Sequence, residues 1–521
     1  MKLLSLRLLQ YRVLQNFTLS FEQATLNNAT YAIDLIVGVN GTGKSTLLRA
    51  LAELFFTLDI PTQHPSFGFE ITYQLRSTDD PHKMDTILIS NLEEINDGEG
   101  NKQTRLRSDG LFRLCINDRE NFVDSIDGNK LPPLVVAFTT GSEREWHFSA
   151  TVQQFDEASH AIKQLYEQLH SPDYEQTLNA WYQREQKGPG GDSTLTSTEE
   201  LRESRFLLLE TSLLPLIILC GMLHDMAEAT PPDQFWNRLQ LAMQECRIQA
   251  LRGFSLRLRF GASPLTPEQQ AFLDDLAALA HHRVQAGSEQ LLVFDLTTVS
   301  AATLLQTVSR DGLQLFQELQ QLQKAMILSE INLFLERVRY EGQDTPPLHL
   351  LDWLSDGEKS FLGRLCLLSL LGAREALILL DEPEVHFNDY WKRRLLMLLS
   401  DTLKGRSSHV LMTTHSSITL TDVANSNIWI LKRDNDYTRR AIPPGLRTLG
   451  ADPSDLLVTV FGAEHATGAQ SVDIIQQKLR ASYQSNEERT QALRQLLGQV
   501  GPGYWRFLIR RELHSAEGEK R

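Results

Sequence analysis

Cysteine is scarce in this chain of 521 residues. Only Cys115, Cys220, Cys246 and Cys366 occur, and no two of them form a Cys-x-x-Cys pair. Neither a zinc cage nor a disulfide framework is indicated, because both need cysteines paired at short spacings. This usage is typical of a protein from a reducing compartment.

Long apolar segments are also missing. The longest apolar run, from Leu213 to Leu223, has 11 residues with a proline inside, whereas a bilayer-spanning helix needs about 20. Arg7 and Arg12 fall where a signal peptide would have its apolar core, and no small-residue cleavage site follows. We therefore expect a cytoplasmic protein without a membrane segment, in which the apolar run is a buried helix.

An excess of positive charge is absent as well. The chain has 51 Lys and Arg against 66 Asp and Glu, and the resulting net charge of −15 opposes general adhesion to nucleic acid or anionic lipid. Cations cluster only locally, at 392–394, 432–433, 439–440 and 506–511. Clusters of this size are ordinary on solvated surfaces, but several on one face could follow a nucleic-acid backbone.

The chain has a globular composition, with 41% hydrophobic and 22% charged residues, and a length that suits about three domains or one heavily inserted domain. Short apolar strands in 1–150 predict a mixed β lobe. Helix-periodic segments in 151–345 predict a helical insertion, whose last helix would run from Leu315 to Arg339. Its heptads are too few for a coiled-coil arm.

Strands and helices alternate again in 346–440, which predicts a second lobe with a parallel sheet. Residues 441–521 predict a C-terminal helical extension. Its aromatic segment at 504–507 fits either packing in a core or contact with a partner.

A glycine-rich loop joins a strand to a helix between Gly38 and Ser45. The eight residues fit GxxxxGK[ST], and a strand before and a helix after this motif let backbone N–H groups surround phosphates. Lys44 is expected to reach the β- and γ-phosphates of ATP, and Ser45 to hold Mg²⁺. We assign nucleotide contacts to Asn40, Gly41, Thr42, Gly43, Lys44, Ser45 and Thr46.

Two carboxylates, Asp381 and Glu382, end an apolar strand. A carboxylate at a strand tip can bind a metal ion, so Asp381 is expected to share Mg²⁺ with Ser45. Glu382 is placed to activate the water that attacks the γ-phosphate. Acidic residues also end many ordinary strands, so the interpretation of this pair depends on the motifs around it.

Two further motifs flank the carboxylates. Ser355, in the segment Leu-Ser-Asp-Gly-Glu at 354–358, precedes Asp381 by 26 residues, and His415, in Thr-Thr-His-Ser at 413–416, follows it by 34. The four motifs in this order resemble the ABC-type ATPases, which have a Walker A loop, an LSGGQ-like signature, a Walker B strand with a catalytic Glu and a switch histidine.

This resemblance implies an α/β fold: an ABC-type P-loop ATPase head with a mixed β lobe and a RecA-like parallel sheet. It implies catalytic roles for Glu382, His415 and Lys44. In that class the signature of one subunit caps the nucleotide of another. Ser355 and Gly357 are therefore expected to contact ATP in trans, within a homodimer or a higher even-numbered oligomer.

The spacing narrows the resemblance to the RecF, SMC and OLD group. Lys44 and Ser355 are 311 residues apart, the signature has the form LSxGE, and the membrane segment of a transporter is missing. In that group the opening strand often ends near an aromatic-Arg pair, as at Tyr11-Arg12. Arg12 is expected either to reach the nucleotide or to lie in a surface hairpin.

Four longer segments are similar to the ATPases of restriction and antiphage systems, especially PtuA of the Septu system and its retron-linked relatives. They are VVAFTTGSERE at 135–145, LSDGEKSFL at 354–362, LLDEPEVHFNDYW at 379–391 and LGADPSDLLVTVFG at 449–462. Those ATPases work with a separate HNH nuclease, PtuB, so the resemblance implies such a partner here. His-Phe-Asn at 386–388 departs from the His-Pro pair that usually follows DEPE.

The sequence carries no evident nuclease motif. The Asp-x-Asp at 434–436 fits a turn better than a TOPRIM metal site, and Arg510, Arg511 and His514 miss the spacing of a HEPN ribonuclease. The sequence thus predicts the ATP-hydrolysing subunit of a bacterial antiphage complex. Two alternatives stay open: a RecF- or SMC-like DNA-binding ATPase in repair, and an oligomeric scaffold in which ATP fixes the geometry and hydrolysis is incidental.

Overall fold

The structure is a computed structural model that describes residues 1–21, 31–61, 63–78, 80, 83–96, 102–141, 146, 148, 205–229, 235–261, 265–309, 311–339, 345–372, 374–434 and 439–518. The predictions made for 151–204 and for the turn residues Asn435 and Asp436 fall outside these residues. Within them, every helix is too short or too polar to cross a membrane. Strands and helices are numbered along the chain.

A seven-stranded sheet lies at the centre of residues 1–450. In spatial order its strands are β11 (Phe206–Leu209), β10 (Leu134–Thr139), β17 (Ala376–Asp381), β18 (Ser408–Thr414), β3 (Ala32–Val37), β19 (Ile428–Arg433) and β20 (Arg439–Ile442). All neighbours are parallel except the last pair. β10, β17 and β18 are buried along their whole length, as strands of a parallel sheet covered on both faces are. The expected RecA-like sheet is confirmed.

The chain segments before and after the insertion (151–345) both contribute strands to this sheet. β3 and β10 come from the first 150 residues, whereas β17, β18 and β19 follow the insertion. Thr413 of β18 pairs with Asp381 of β17 on one side, and Thr414 pairs with Val37 of β3 on the other. The carboxyl ends of these parallel strands therefore meet at one edge, although their residues are far apart in the chain.

A six-stranded antiparallel sheet forms the predicted β lobe. In order its strands are β2 (Leu14–Ser20), β1 (Lys2–Tyr11), β4 (Phe69–Arg76), β5 (Met84–Ser90), β8 (Phe112–Ile116) and β9 (Arg119–Val123), and a separate hairpin pairs β6 (Leu92–Asn96) with β7 (Lys102–Leu106). Alternate residues of β4 are buried, and the ring of Tyr73 lies 5.6 Å from that of Phe55 in helix α1 (Lys44–Leu58). α1 shares one apolar core with both sheets.

The insertion contains a sheet as well as helices. Its described helices are α2 (Leu214–Ala227), α3 (Gln240–Glu245), α4 (Pro267–Leu279), α5 (Ala301–Val308) and α6 (Gly312–Lys324). Its antiparallel sheet has the order β13 (His282–Ala286), β14 (Glu289–Asp295), β12 (Ile248–Arg259), β15 (Leu328–Arg337) and β16 (Leu348–Leu350). The prediction of a purely helical insertion is therefore wrong for this part of the chain.

The single helix predicted from Leu315 to Arg339 is in fact a helix followed by a strand. α6 ends at Lys324, and Met326 turns the chain with a φ of 59°. β15 then pairs with β12 and buries Leu333 and Leu335 two residues apart. The leucines of this segment are spaced as on one face of a helix, so the sequence analysis extended the helix to Arg339. The alternation of buried and exposed residues that marks the strand was not recognised.

Three helices follow motifs of the second ATPase lobe: α7 (Asp356–Leu370), α8 (Asp389–Leu403) and α9 (Ser417–Leu420). α7, which begins inside the signature, packs directly on α2 of the insertion. A Cβ on Gly221 would lie 2.5 Å from Cβ of Cys366, and one on Gly363 would lie 2.4 Å from Cδ2 of Leu214. Two glycines thus allow an approach that larger residues would prevent.

The second compact unit begins at Ala451 and consists of helices. They are α10 (Pro453–Thr459), α11 (Ala469–Arg480), α12 (Asn486–Gln499) and α13 (Tyr504–Gly518). The last three enclose a small apolar core that includes Trp505. Tyr504 and Phe507 are exposed, so the aromatic segment supplies one core residue and two surface rings.

A buried polar network joins the β lobe to the parallel sheet. His409 of β18 accepts the N–H of Leu3 at Nδ1 (2.9 Å), so its proton lies on Nε2, which is 2.8 Å from Oδ2 of Asp34. The other carboxylate oxygen of Asp34 accepts a hydrogen bond from the Asn427 amide at 3.0 Å. Both oxygens of this buried carboxylate are therefore satisfied by separate segments.

Asp34→Ala should destabilise the fold by on the order of 3 kcal/mol, because the His409 N–H and the Asn427 amide would remain buried without an acceptor. Urea denaturation followed by circular dichroism measures the loss. Asp274→Ala, which removes an exposed carboxylate, is the control and should cost less than about 0.5 kcal/mol. Equal losses in the two variants would contradict the structural role of the network.

Candidate active site

The glycine loop leads from β3 into α1, as its motif predicts. Gly38, Gly41 and Gly43 have φ values of 151°, 77° and 97°, a region that favours glycine. At Gly38 a Cβ would also lie 2.7 Å from the backbone oxygen of Leu431 in the neighbouring strand. α1 begins at Lys44, so the free N–H groups of its first turn lie at the loop.

The other loop residues lie around this turn. Asn40 and Gly41 are exposed at its tip, and the hydroxyl of Thr42 donates to the Val39 carbonyl at 2.9 Å. Thr46 lies half-buried in the first turn of α1. A hydrogen bond within the loop therefore holds its shape, while the tip at Asn40 and Gly41 stays accessible to a ligand.

Lys44 extends back along the loop and is buried. Its Nζ donates to two loop carbonyls at 3.1 and 3.4 Å. Burial lowers the pKa of Lys44, and the nearby carboxylates of Glu382, Asp381 and Glu384 oppose this shift. The ammonium thus lies where phosphate oxygens would meet both it and the N–H groups of α1.

The two expected magnesium ligands are in direct contact. The Ser45 hydroxyl donates to Oδ1 of Asp381 at 2.9 Å, and Thr413 donates to the same oxygen at 2.7 Å. Thr139, from β10, donates to Oδ2 at 3.2 Å. Burial raises the pKa of Asp381, and the hydrogen bonds from Thr413 and Ser45 counteract the shift. A hydroxyl and a carboxylate are hard oxygen ligands, so the pair fits Mg²⁺.

Glu382 lies beside this pair and contacts His415. Nε2 of His415 is 2.9 Å from Oε1 of Glu382, and both side chains are half-buried. The hydrogen bond from His415 holds the pKa of Glu382 below its usual range, so the carboxylate is ionised at neutral pH. The Glu382 N–H donates to the Thr413 hydroxyl at 2.9 Å, which links the two carboxylates through one threonine.

Glu384 is a site residue that the sequence analysis did not single out. Its side chain is buried, and Oε1 accepts hydrogen bonds from the Thr414 hydroxyl and, at 3.1 Å, from the His415 N–H. Glu384 therefore holds the backbone of His415 next to Glu382. One sequence signal could have indicated Glu384: it is the third acidic residue within four positions at the end of an apolar strand. A carboxylate so close to a buried strand is poorly hydrated and therefore needs hydrogen-bond donors from the protein.

The signature lies at the start of α7, where Ser355 and Glu358 form a reciprocal cap. Oγ of Ser355 accepts the Glu358 N–H at 3.2 Å, and Oε2 of Glu358 accepts the Ser355 N–H at 2.9 Å. Oε1 of Glu358 accepts from Arg337 of β15 at 3.0 Å, which connects the signature to the insertion's sheet. A Cβ on Gly357 would lie 3.0 Å from the His386 backbone oxygen.

Arg12 lies in the turn between β1 and β2, at a φ of 51°. That turn contacts the phosphate loop, because a Cβ on Gly43 would lie 3.1 Å from side-chain atoms of both Val13 and Leu14. Arg12 therefore lies in a hairpin turn, as one alternative expected, and this turn is also next to the phosphate loop, as a nucleotide contact would require. Its contact with the nucleotide stays a prediction.

Several cations of the local basic clusters are used inside the protein. Arg394 pairs with Glu245, Lys392 with Asp389 and Arg440 with Asp434, while Arg506 donates to the carbonyls of Leu497 and Val500 near the end of α12. These contacts favour structural roles for the residues concerned. They do not by themselves form a track for nucleic acid.

Two family models match separate parts of the chain. A model described as "AAA domain" matches residues 1–75, and one described as "AAA domain, putative AbiEii toxin, Type IV TA system" matches residues 273–422. The first match contains the phosphate loop, and the second contains the signature, both carboxylates and His415. Residues 1–75 and residues 273–422 are therefore each similar to an AAA domain.

Individual relatives cover the chain unevenly. Protein ea59 of Escherichia phage lambda is 33% identical over 105 residues, which are 19% of this chain and 20% of the phage protein. The fold is similar to an SmcHead bound to the C-winged helix domain of ScpA, with 12% identity, 85% of this chain and 98% of that chain covered, and a TM-score of 0.33. For the SMC head domain from Thermotoga maritima these values are 11%, 86%, 100% and 0.30.

The matched segment thus spans about a fifth of the curated relative. The phosphate loop on a parallel sheet, the carboxylates at its edge and the two AAA-domain matches support a P-loop ATPase.

Proposed function

We propose that this chain is the ATP-binding and ATP-hydrolysing subunit of a cytoplasmic antiphage defence complex and that it controls a separate HNH nuclease. The observation that carries the ATPase function is the meeting of Lys44, Ser45, Asp381 and Glu382 at one edge of the parallel sheet. The defence role and the nuclease rest on the four segments that are similar to Septu-type ATPases. The family model that matches residues 273–422 has the words "putative AbiEii toxin" in its description, and this description is compatible with a defence role.

The residues present fit ATP and Mg²⁺. Loop N–H groups and Lys44 would bind the β- and γ-phosphates. Ser45 and Asp381 would hold the metal ion, which supplies positive charge to the phosphoryl oxygens. Glu382 accepts the proton of the attacking water at its free oxygen, while its other oxygen keeps the hydrogen bond to His415.

A second copy of the chain is proposed to complete each site. Ser355 is exposed at the N-terminus of α7, and Trp353, two residues earlier, is 65% exposed. A two-fold contact would bury both signatures and both nucleotides at once, because the same surface is used twice. Ser355 and the Gly357 N–H would then donate to phosphoryl oxygens.

Lys44→Ala should abolish ATP binding, because it removes the ammonium that receives the phosphates. The fold should persist, since a buried cation is lost rather than created. Nucleotide titration measures the affinity, with Lys404→Ala, an exposed lysine, as the control. Phage plating on cells that also express the proposed HNH nuclease partner should show protection by the wild type and none by Lys44→Ala. Unchanged affinity in Lys44→Ala would refute the phosphate-loop assignment.

Glu382→Gln keeps the shape of the side chain and removes the base, so hydrolysis should fall by roughly 10² to 10⁴ while ATP still binds. The variant should accumulate as an ATP-bound dimer, detectable by light scattering with and without nucleotide. Glu120→Gln, at an exposed position of β9, is the matched control. Wild-type turnover in Glu382→Gln would mean that another group activates the water. Full protection by a non-hydrolysing dimer would favour the scaffold alternative.

Lys44→Ala and Ser355→Arg subunits should each be inactive alone and should recover partial hydrolysis when mixed. In a mixed dimer one composite site keeps both wild-type parts, while the other collects both lesions. Turnover across a titration of the two variants measures this recovery. Full activity of the wild type as a dilute monomer would exclude the trans arrangement. Strong stimulation of turnover by DNA would instead favour the repair alternative.

A further inference from the structure

Arg364 lies within the signature helix α7 and is 2% exposed. None of its three guanidinium nitrogens has a hydrogen-bond partner among the residues that the structure describes. Its guanidinium carbon lies 4.7 Å from the ring centroids of both Phe138 and Phe387, so the group is held between two aromatic faces. A cation buried in this way needs a compensating negative charge, because desolvation of an unpaired ion is very unfavourable.

Glu384 supplies a complementary charge from the same turn as Phe387: the Phe387 N–H donates to the Glu384 carbonyl at 3.0 Å, and the Phe387 ring faces the guanidinium. Glu384 is 4% exposed, and within the described part of the chain its Oε2 is buried without a hydrogen-bond partner, whereas Oε1 accepts hydrogen bonds from Thr414 and His415. Burial lowers the pKa of Arg364 to about 9, and the charge of Glu384 opposes that shift. Burial also raises the pKa of Glu384. Each of the two buried ions would be costly without the other.

The other charged groups around Glu384 do not replace Arg364. Glu382, on the same segment, repels it. The Lys44 ammonium interacts with it but is hydrogen-bonded to loop carbonyls and would be required by phosphate. His415 contacts it through the backbone N–H, while its ring is engaged with Glu382.

We propose that Arg364 is a positioning residue for ATP hydrolysis: it balances the buried charge of Glu384, so that Glu384 holds His415 against the catalytic Glu382. The inference rests on the proposed ATPase function and deepens it. Arg364 acts through the charge of Glu384 and then through two hydrogen bonds, Glu384 to the His415 N–H and His415 to Glu382, and not on the nucleotide. The helix that presents Ser355 to a second subunit therefore also sets the geometry of the base in its own subunit.

The first test is a double-mutant cycle. Arg364→Met removes the charge and keeps a long apolar side chain, and it should lower the single-turnover rate at saturating ATP about tenfold or more, with ATP affinity changed less than about threefold. Arg364→Lys should recover part of the rate. Glu384→Gln can still accept hydrogen bonds from Thr414 and His415, so in that background Arg364→Met should cost much less. Additive losses would overturn the proposal.

A second test needs no nucleotide. In Arg364→Met, Glu384 would be buried without its counter-charge, and a carboxyl whose folded pKa is raised contributes stability at low pH that is lost as the pH rises. The urea midpoint of Arg364→Met should therefore fall further below the wild-type value at about pH 8 than at about pH 5. Adding Glu384→Gln should remove this pH dependence.

Phe361→Leu, which removes buried ring packing from the same helix and no charge, is the control and should lower the midpoint equally at both pH values. An equal loss at both pH values in Arg364→Met would show a packing role alone and overturn the proposal, whatever the ATPase assays give. Absence of hydrolysis in the wild type, with the pH-dependent loss present, would refute the proposed ATPase function and leave the charge pair supported.

Discussion

The candidate site depends on one buried carboxylate, Asp381, at the end of the interior strand β17. Three hydroxyl groups donate to its oxygens: Ser45 from the phosphate-loop helix, Thr139 from the strand on one side and Thr413 from the strand on the other. A buried carboxylate is tolerated only with such partners. The need to satisfy it brings the loop and both neighbouring strands to one sheet edge, from segments hundreds of residues apart.

The signature helix connects this edge to the rest of the first compact unit. Gly221 and Gly363 allow α2 and α7 to pack closely, and Arg337 ties the insertion's sheet to Glu358 at the signature. At the other end of α7, the buried Arg406 donates to the carbonyls of Leu368 and Ser369, which also accept the N–H groups of Leu371 and Gly372. The insertion is therefore packed on α7, the helix that carries Ser355 at its N-terminus, and a displacement of either element would shift the other.

Sequence patterns predicted the features that arise from a few neighbouring residues. The glycines of the phosphate loop have the positive φ values that the motif requires, and a helix follows the loop from Lys44. The same patterns misjudged the chain from Leu315 to Arg339, because leucines at helical spacing continued across the end of α6. The strand that follows exists because β12 pairs with it, and the hydrophobic spacing alone does not show that partner.

By itself the sequence determined the phosphate loop, the two carboxylates after an apolar strand, the signature and His415, because each is a short motif whose chemistry is local. Only the tertiary structure decided that Ser45 contacts Asp381, that Glu384 holds His415 and that Arg364 is buried near Glu384 without a hydrogen bond. The physical reason is that burial and charge balance depend on which side chains surround a group. Those neighbours come from strands and helices that meet only when the parallel sheet is assembled.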